Sequence, residues 1–247
     1  MDERPNMPDS PAPAQQSSSD GAPALRVETW IDLACPWSYI GLSNLLAAVQ
    51  RFSEERPENR VLLGLRSYEL NPDADDADAR SAAQHLADIK GITVSQAQTE
   101  LERVTVAAAD AGLDFHFDVL QQSNTGLAHE LLHAARLDHR EREVALALFH
   151  AHFSEGRHIG RLETLEEIAG EQGLDVASIS RELTTHSHTG EVQADERRAA
   201  ELGISSVPFF LFNDRFGASG AQPVEALLEV LHEVLHEVQT RVGADAR

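Results

Sequence analysis

The stretch Leu25-Arg26-Val27-Glu28-Thr29-Trp30-Ile31-Asp32-Leu33-Ala34-Cys35-Pro36-Trp37-Ser38 decides how this chain folds. Its first half gathers Val27, Trp30, Ile31 and Leu33 into a short run of β-branched, aromatic and aliphatic side chains, the pattern of a buried strand. Pro36 has no N–H to give to a strand ladder, whereas its fixed φ suits the first residue of a helix. From there Trp37, Ile40, Leu45, Val49 and Phe52 recur at helical spacing until Pro57. Cys35 therefore stands where a strand hands over to a helix.

Working outward, Val61, Leu62, Leu63 and Leu65 form a second apolar run that ends near Tyr68, before the turn Asn71-Pro72-Asp73. Strand, helix, strand at this spacing predicts a parallel pair joined by a helical crossover. From about Arg80 to Arg198 the pattern changes to helical blocks: Ser95 to Ala111 closed by Gly112, Thr125 to Arg136, Arg140 to Phe153 closed by Gly156, Glu163 to Gln172 closed by Gly173, and a block opened by Asp175. Only Phe115 to Phe117 interrupts it. A helix over Glu191 to Leu202 leads to Val207-Pro208-Phe209-Phe210-Leu211-Phe212, the turn Asn213-Asp214 and a short segment at Arg215-Phe216, which read as a hairpin. Pro223 opens a closing helix to about Arg241, with Leu227, Leu228, Leu231, Val234, Leu235 and Val238 on one face. No internal repeat is visible.

The expected organisation is a disordered tail over 1–24, rich in Pro and Ser, a first fold segment at 25–75, a helical insertion at 76–188, a second fold segment at 189–241, and a C-terminal tail at 242–247. A chain of 247 residues, 42% of them hydrophobic, is long enough for a full core. Its net charge of −21 excludes the basic stripe that nucleic acid or an anionic membrane surface would require. One cysteine allows no internal disulfide, and Met1-Asp2-Glu3-Arg4 is not followed by an apolar leader segment, so a reducing, cytoplasmic setting is expected. No stretch reaches the length of a membrane span.

Three segments together resemble the DsbA family of thioredoxin-fold proteins, specifically its FrnE-like branch: Asp32-Leu33-Ala34-Cys35-Pro36-Trp37-Ser38-Tyr39-Ile40-Gly41, Tyr68-Glu69-Leu70-Asn71-Pro72, and Gly203-Ile204-Ser205-Ser206-Val207-Pro208-Phe209-Phe210 running on to Gly220-Ala221-Gln222-Pro223. The resemblance spans Leu25 to about Arg241. It implies an α/β thioredoxin fold, β-α-β … β-β-α, with a large all-helical insertion. It also implies thiol–disulfide chemistry at Cys35, with Pro208 as a cis-proline facing the thiol and the backbone of Val207 pairing with an incoming peptide or glutathione. Relatives of the oxidoreductase type have a second cysteine where this chain has Ser38. The dithiol cycle is thus closed, and any mixed disulfide at Cys35 must be resolved by an outside thiol.

A helix N-terminus favours a thiolate through its free N–H groups and dipole, and Ser38 one turn on is placed to donate to the sulfur, so Cys35 is expected to titrate below a free thiol. That expectation also follows from the resemblance and is not independent of it. Trp37 and Tyr39 flank the cysteine as candidate substrate contacts or as packing, and Asp32 reads first as a solvated carboxylate at the strand end, with an influence on the site's proton equilibrium as the alternative. His129-Glu130-Leu131-Leu132-His133 spells the H-E-x-x-H of zinc metalloproteases, but the motif needs a third ligand and an open cleft and here falls inside the helical insertion, and twelve histidines make coincidence easy, so no metal site is expected.

Three functions stand open. The first is a monothiol thiol–disulfide oxidoreductase or isomerase, with no tightly bound cofactor, glutathione or another external thiol as co-substrate, and protein or small-molecule thiols and disulfides as partners. The second is a glutathione-dependent isomerase or transferase resembling the kappa-class transferases and 2-hydroxychromene-2-carboxylate isomerases, which use serine at the position of Cys35. The third is a redox-inactive peptide-binding protein. The insert and the closing helix each offer a face for a homodimer, though core packing explains their apolar stripes equally well.

Overall fold

The computed structural model describes residues 24–245. The expected tail over 1–24 lies outside the described residues apart from Ala24, as do Ala246 and Arg247 of the expected C-terminal tail. β1 (Leu25–Ile31), α1 (Pro36–Glu55) and β2 (Val61–Ser67) form the crossover unit, and β1 and β2 pair in parallel from Leu25↔Val61 to Ile31↔Ser67. Seven helices follow: α2 (Ala82–Lys90), α3 (Val94–Asp110), α4 (Gly126–Arg136), α5 (Glu141–Phe153), α6 (Leu162–Glu171), α7 (Val176–Thr184) and α8 (Thr189–Glu201). The chain then returns to the sheet as β3 (Phe209–Phe212) and β4 (Phe216–Ser219), and closes with α9 (Val224–Asp245). The sheet order is β2-β1-β3-β4, with β3 antiparallel to both neighbours. This is an α/β thioredoxin fold carrying a helical insertion.

Period-two alternation along β1 divides the core. Leu25 and Val27, with Phe210 and Phe212 of β3, pack under Leu45, Ala48 and Phe52 of α1 and Leu227, Leu231 and Leu235 of α9. Trp30 points to the other face, where Leu211, Val207 and Cys35 meet Ala199 of α8. Ile31, Leu33 and Tyr39 at the top of the sheet join a third cluster built from the insertion. Cys35 thus lies where sheet, α1 and insertion converge.

Buried polar bonds fix α8 against the sheet. The Asp195 carboxylate accepts from the Ser67 amide at 3.1 Å and from Arg66 at 2.9 Å, and its backbone carbonyl accepts from the Trp30 indole at 3.1 Å. Arg66 and Arg198 both reach Glu28, so the arrangement is closed on charged partners. The open edge of β2 is handled the same way. Leu65 donates to Glu141 and accepts from Arg136, two side chains that also bond each other, so they occupy the place a further strand would take.

The structure departs from the sequence reading in three places. Helix α2 was not singled out, although Ser81 and Gln84 form a reciprocal capping box and Gly91 ends the helix at φ 63°, where a left-handed residue is needed. Phe115 to Phe117 form no strand; the His116 amide donates to the Phe153 carbonyl at 2.8 Å and the Phe115 and Phe153 rings stack at 4.9 Å. The closing helix continues past Arg241 to Asp245, so the tail expected at 242–247 begins later.

Candidate active site

Cys35 is the N-cap of α1, with extended backbone (φ −93°, ψ 114°) and Pro36 behind it. Its amide donates to the Asp32 carbonyl at 3.0 Å, and its carbonyl accepts from Ser38 at 3.0 Å, which closes the turn between strand and helix. The thiol is directed at the Val207 carbonyl, with Sγ 3.9 Å from the oxygen. The Val207–Pro208 peptide is cis. Ser38 is fully buried, and its hydroxyl accepts from the Asp32 amide at 3.2 Å.

Cys35 is only 7% exposed, and this decides its acidity. Burial first, and then the negative charge of Asp32, push the thiol up to about 11; the Ser38 amide and hydroxyl and the Trp37 amide pull the other way and do not prevail. The expectation of a depressed thiol pKa is therefore overturned. The helix N-terminus and the Ser38 donor are both present, but desolvation and a like charge outweigh them.

Asp32 is the second correction, because it is 3% exposed rather than solvated. Its carboxylate accepts from the Ala34 and Leu70 amides, each at 2.8 Å, and from the Thr125 hydroxyl. Burial nevertheless raises it to about 6 against those bonds. Beyond it stands Glu69, half-buried and raised to about 7 by burial and by the like charges of Glu196, Asp32 and Glu130. The Glu69 amide donates to the Glu196 carboxylate at 3.3 Å. Among the described residues Asp32, Glu69 and Glu196 form no ion pair.

Within Tyr68-Glu69-Leu70-Asn71-Pro72 nothing in the sequence marks Glu69, and no motif marks Glu196. Both carry signals only in three dimensions, since residues 32, 69 and 196 meet through β2 and α8.

A family model for the DsbA-like thioredoxin domain matches residues 26–232. The chain belongs to the DsbA-like thioredoxin family. A probable DsbA oxidoreductase from Streptomyces coelicolor is 32% identical, with 86% of this chain and 91% of that one covered and a TM-score of 0.79. The Bacillus subtilis protein YwbO, itself uncharacterized, is 26% identical over 81% of this chain and 94% of its own length. The cytosolic disulfide reductase DsbM from Pseudomonas aeruginosa, in a structure with glutathione, shares 18% identity and a TM-score of 0.54 over 88% of this chain and 98% of its own, a likeness of fold.

Within this DsbA-like fold the remaining candidates separate. Trp37 is 41% exposed beside the thiol, and Leu70, whose amide is bonded to Asp32, is 53% exposed. Tyr39 is buried and stacks on Phe149 at 4.9 Å and on Phe115 at 5.7 Å, so it belongs to the core and not to a substrate surface.

The H-E-x-x-H side chains serve separate structural ends. The Glu130 carboxylate is bonded to His186, the His188 amide and Thr189, while His133 faces Ser67 and Asp195. His129 is fully buried without a hydrogen-bond partner for either ring nitrogen among the described residues. No group of three or more His, Cys, Asp or Glu among the described residues is placed to hold a metal ion.

The cis-proline loop is seated directly on α1. A Cβ built on Gly41 would lie 2.6 Å from Pro208 Cγ and 3.2 Å from Phe210 Cζ. Gly41→Ala is expected to force Pro208 outward at a cost of about 1–3 kcal/mol, the usual range for overpacking. Urea unfolding gives that loss; an unchanged midpoint would show that the loop yields freely.

Proposed function

We propose that this DsbA-like protein is a monothiol thiol–disulfide oxidoreductase or isomerase acting through a mixed disulfide at Cys35. The observation that carries the reading is the placement of the chain's single cysteine at the N-cap of α1, with its sulfur facing the carbonyl that precedes cis-Pro208. Cys35 and Ser38 are the catalytic pair, with Ser38 and the Trp37 amide stabilising the thiolate. Trp37, Val207 and Pro208 form the surface on which substrate sits.

The reaction balances in two exchanges. The Cys35 thiolate attacks one sulfur of a substrate disulfide, a Cys35–sulfur bond forms, the substrate S–S bond breaks, and the departing thiolate takes a proton from solvent. A second thiolate from outside then attacks the mixed disulfide and releases Cys35 with its electron pair. The substrate then carries one free thiol and one disulfide to the external thiol, and a second external thiol completes its reduction and leaves as the external disulfide; when the second thiolate is the substrate's own, the substrate is isomerised. A compartment rich in small thiols, such as the cytoplasm, suits this cycle, and none of the described helices is long and apolar enough to cross a membrane.

Incubation with hydroxyethyl disulfide followed by intact-mass measurement is expected to show one adduct on the native chain, none on Cys35→Ser, and its removal by added thiol. Absence of any adduct would overturn the proposal. Burial of the sulfur and its elevation to about 11 favour one competing reading, a peptide-binding protein silent in redox exchange, and that result would support it.

A further inference from the structure

We infer that Thr125, where the insertion enters α4, is a positioning residue for Cys35: its hydroxyl holds the Asp32 carboxylate in the charged form that opposes the thiolate. The inference rests on the thiol exchange proposed above and adds the residue that restrains the thiol at neutral pH. Three observations carry it. The first is a hydroxyl turned away from its usual role. Thr125 is the N-cap of α4, where a threonine side chain ordinarily accepts from an amide of the first helical turn, yet it makes no capping bond. Asn124 takes that role, its side-chain oxygen accepting from the Gly126 amide at 2.9 Å. The Thr125 side chain is buried, and its hydroxyl donates to Asp32 instead.

The second is the place of Asp32. Its carboxylate accepts from the amide of Ala34, the residue before Cys35, its amide donates to the Ser38 hydroxyl, and its carbonyl accepts from the Cys35 amide. The carboxylate that Thr125 holds is thus part of the turn that carries the sulfur. The third is that the start of α4 is anchored without the Thr125 hydroxyl. Asn124 donates from its amide to Asp76 at 2.7 Å and from its side chain to the Pro72 carbonyl at 2.8 Å, and the Thr125 carbonyl accepts from the His129 amide at 2.9 Å. Losing the hydroxyl therefore changes Asp32 while these bonds stay.

Two amides and this hydroxyl stabilise the Asp32 anion against its burial. The other charged groups that face it, Glu69 after β2 and Glu196 on α8, are both acidic, and among the described residues no ion pair relieves it. A buried carboxylate with one donor fewer takes up its proton at higher pH, by about one pKa unit for a bond to a charged group. Asp32 lies at about 6 in the native chain, so without the hydroxyl about half of it is neutral at pH 7. A neutral Asp32 no longer opposes the thiolate, and Cys35 reacts faster.

The experiment follows the reaction of Cys35 with methyl methanethiosulfonate, an uncharged probe from which the thiolate takes a methylthio group while methanesulfinate leaves. Native, Thr125→Val and Thr125→Ser chains are compared at about pH 5 to 9, the range that brackets both forms of Asp32. Thr125→Val is expected to react about threefold faster than native at pH 7. The ratio returns toward one at both ends of the range, because Asp32 is largely neutral in both chains at the acid end and charged in both at the alkaline end. Thr125→Ser keeps a hydroxyl and restores the native profile. In an Asp32→Asn background Thr125→Val leaves the rate unchanged, since the group it acts through is gone.

A loosened site would instead react faster at every pH and in both backgrounds. That result, an equal or slower reaction of Thr125→Val at pH 7, or a Thr125→Ser chain that behaves as Thr125→Val does, would overturn the role of Thr125. Thiol exchange would still stand, because this probe reads only the thiolate. A native chain that reacts with the probe but forms no adduct with hydroxyethyl disulfide would overturn thiol exchange itself, and with it the place of Thr125 in that reaction.

Discussion

Replacing Asp32 by Asn is expected to raise the alkylation rate of Cys35 at pH 8 about tenfold, through a fall of about one unit in the thiol pKa. With its thiol near 11, the native protein holds about one sulfur in a thousand as thiolate at pH 8, and reaction is limited by that fraction. Burial is the larger cause and stays in place. The Asp32 charge is the next, and Asn removes it while keeping one carbonyl oxygen for either the Ala34 or the Leu70 amide. The thiol therefore falls but remains above a free cysteine.

The sign is fixed by electrostatics: an anion beside the sulfur disfavours a second anion, so its removal accelerates alkylation. Below both midpoints, and above the titration of Asp32 itself, each rate rises tenfold per pH unit, so the ratio of variant to native iodoacetamide rates across about pH 8 to 9 gives the shift directly. Equal rates would show that the Asp32 charge does not act on the thiol, and a slower reaction throughout the range would show that Asp32 supports the thiolate. Unfolding measured on the same variant separates the loss of one accepted hydrogen bond from the effect on reactivity.

This outcome bears on how the site was read. The place of Cys35 was legible because it depends on neighbours in sequence: a strand pattern, Pro36 at a helix start, and helical spacing from Trp37 to Phe52. Ser38 was legible for the same reason, since one helical turn fixes which residue lies beside the thiol. The acidity of Cys35 was not legible, because it depends on what covers the sulfur. Val207 approaches from 172 residues away. Asp32 is closed off by Leu70, 38 residues on, and by Thr125 from the start of α4.

Local sequence supplied both stabilising contributions to the thiolate, the helix N-terminus and Ser38, and of the two opposing ones it offered the Asp32 carboxylate but not the burial that outweighs the rest. The same holds for Tyr39. Its position at the start of α1 said nothing of the three phenylalanines that stack on it, Phe149 and Phe153 from α5 and Phe115 from the segment between α3 and α4. Helix α2 differs, because its capping box Ser81-Ala82-Ala83-Gln84 was present in the sequence and passed over in a region already read as broadly helical.

His129→Leu is expected to stabilise the protein by about 1–3 kcal/mol at pH 7.5, and by about 2 kcal/mol more at pH 5. The first part is the cost of a fully buried imidazole with neither ring nitrogen hydrogen-bonded among the described residues. The second is proton linkage. Burial, and then the nearby His133, hold His129 down at about 3, so the folded chain keeps it neutral.

In the unfolded chain it titrates near 6.5, and the stability it allows is fully present above that value and is lost as pH falls toward 3. At pH 5 the unfolded chain has gained a proton that the folded chain refuses, worth about 1.4 kcal/mol for each of 1.5 pH units. Asp32 and Glu69 act in the opposite sense, because their raised values favour folding as pH drops through 7 and 6. Total stability therefore conceals the contribution of His129, whereas the difference between native and variant isolates it, since both chains carry the same carboxylates. Urea unfolding of each at the two pH values gives that difference, with His129→Met as a second apolar variant of different shape. A gain that is the same at pH 7.5 and pH 5 would mean that His129 is protonated in the folded chain, and a loss at both would mean that its ring nitrogens are bonded where they lie.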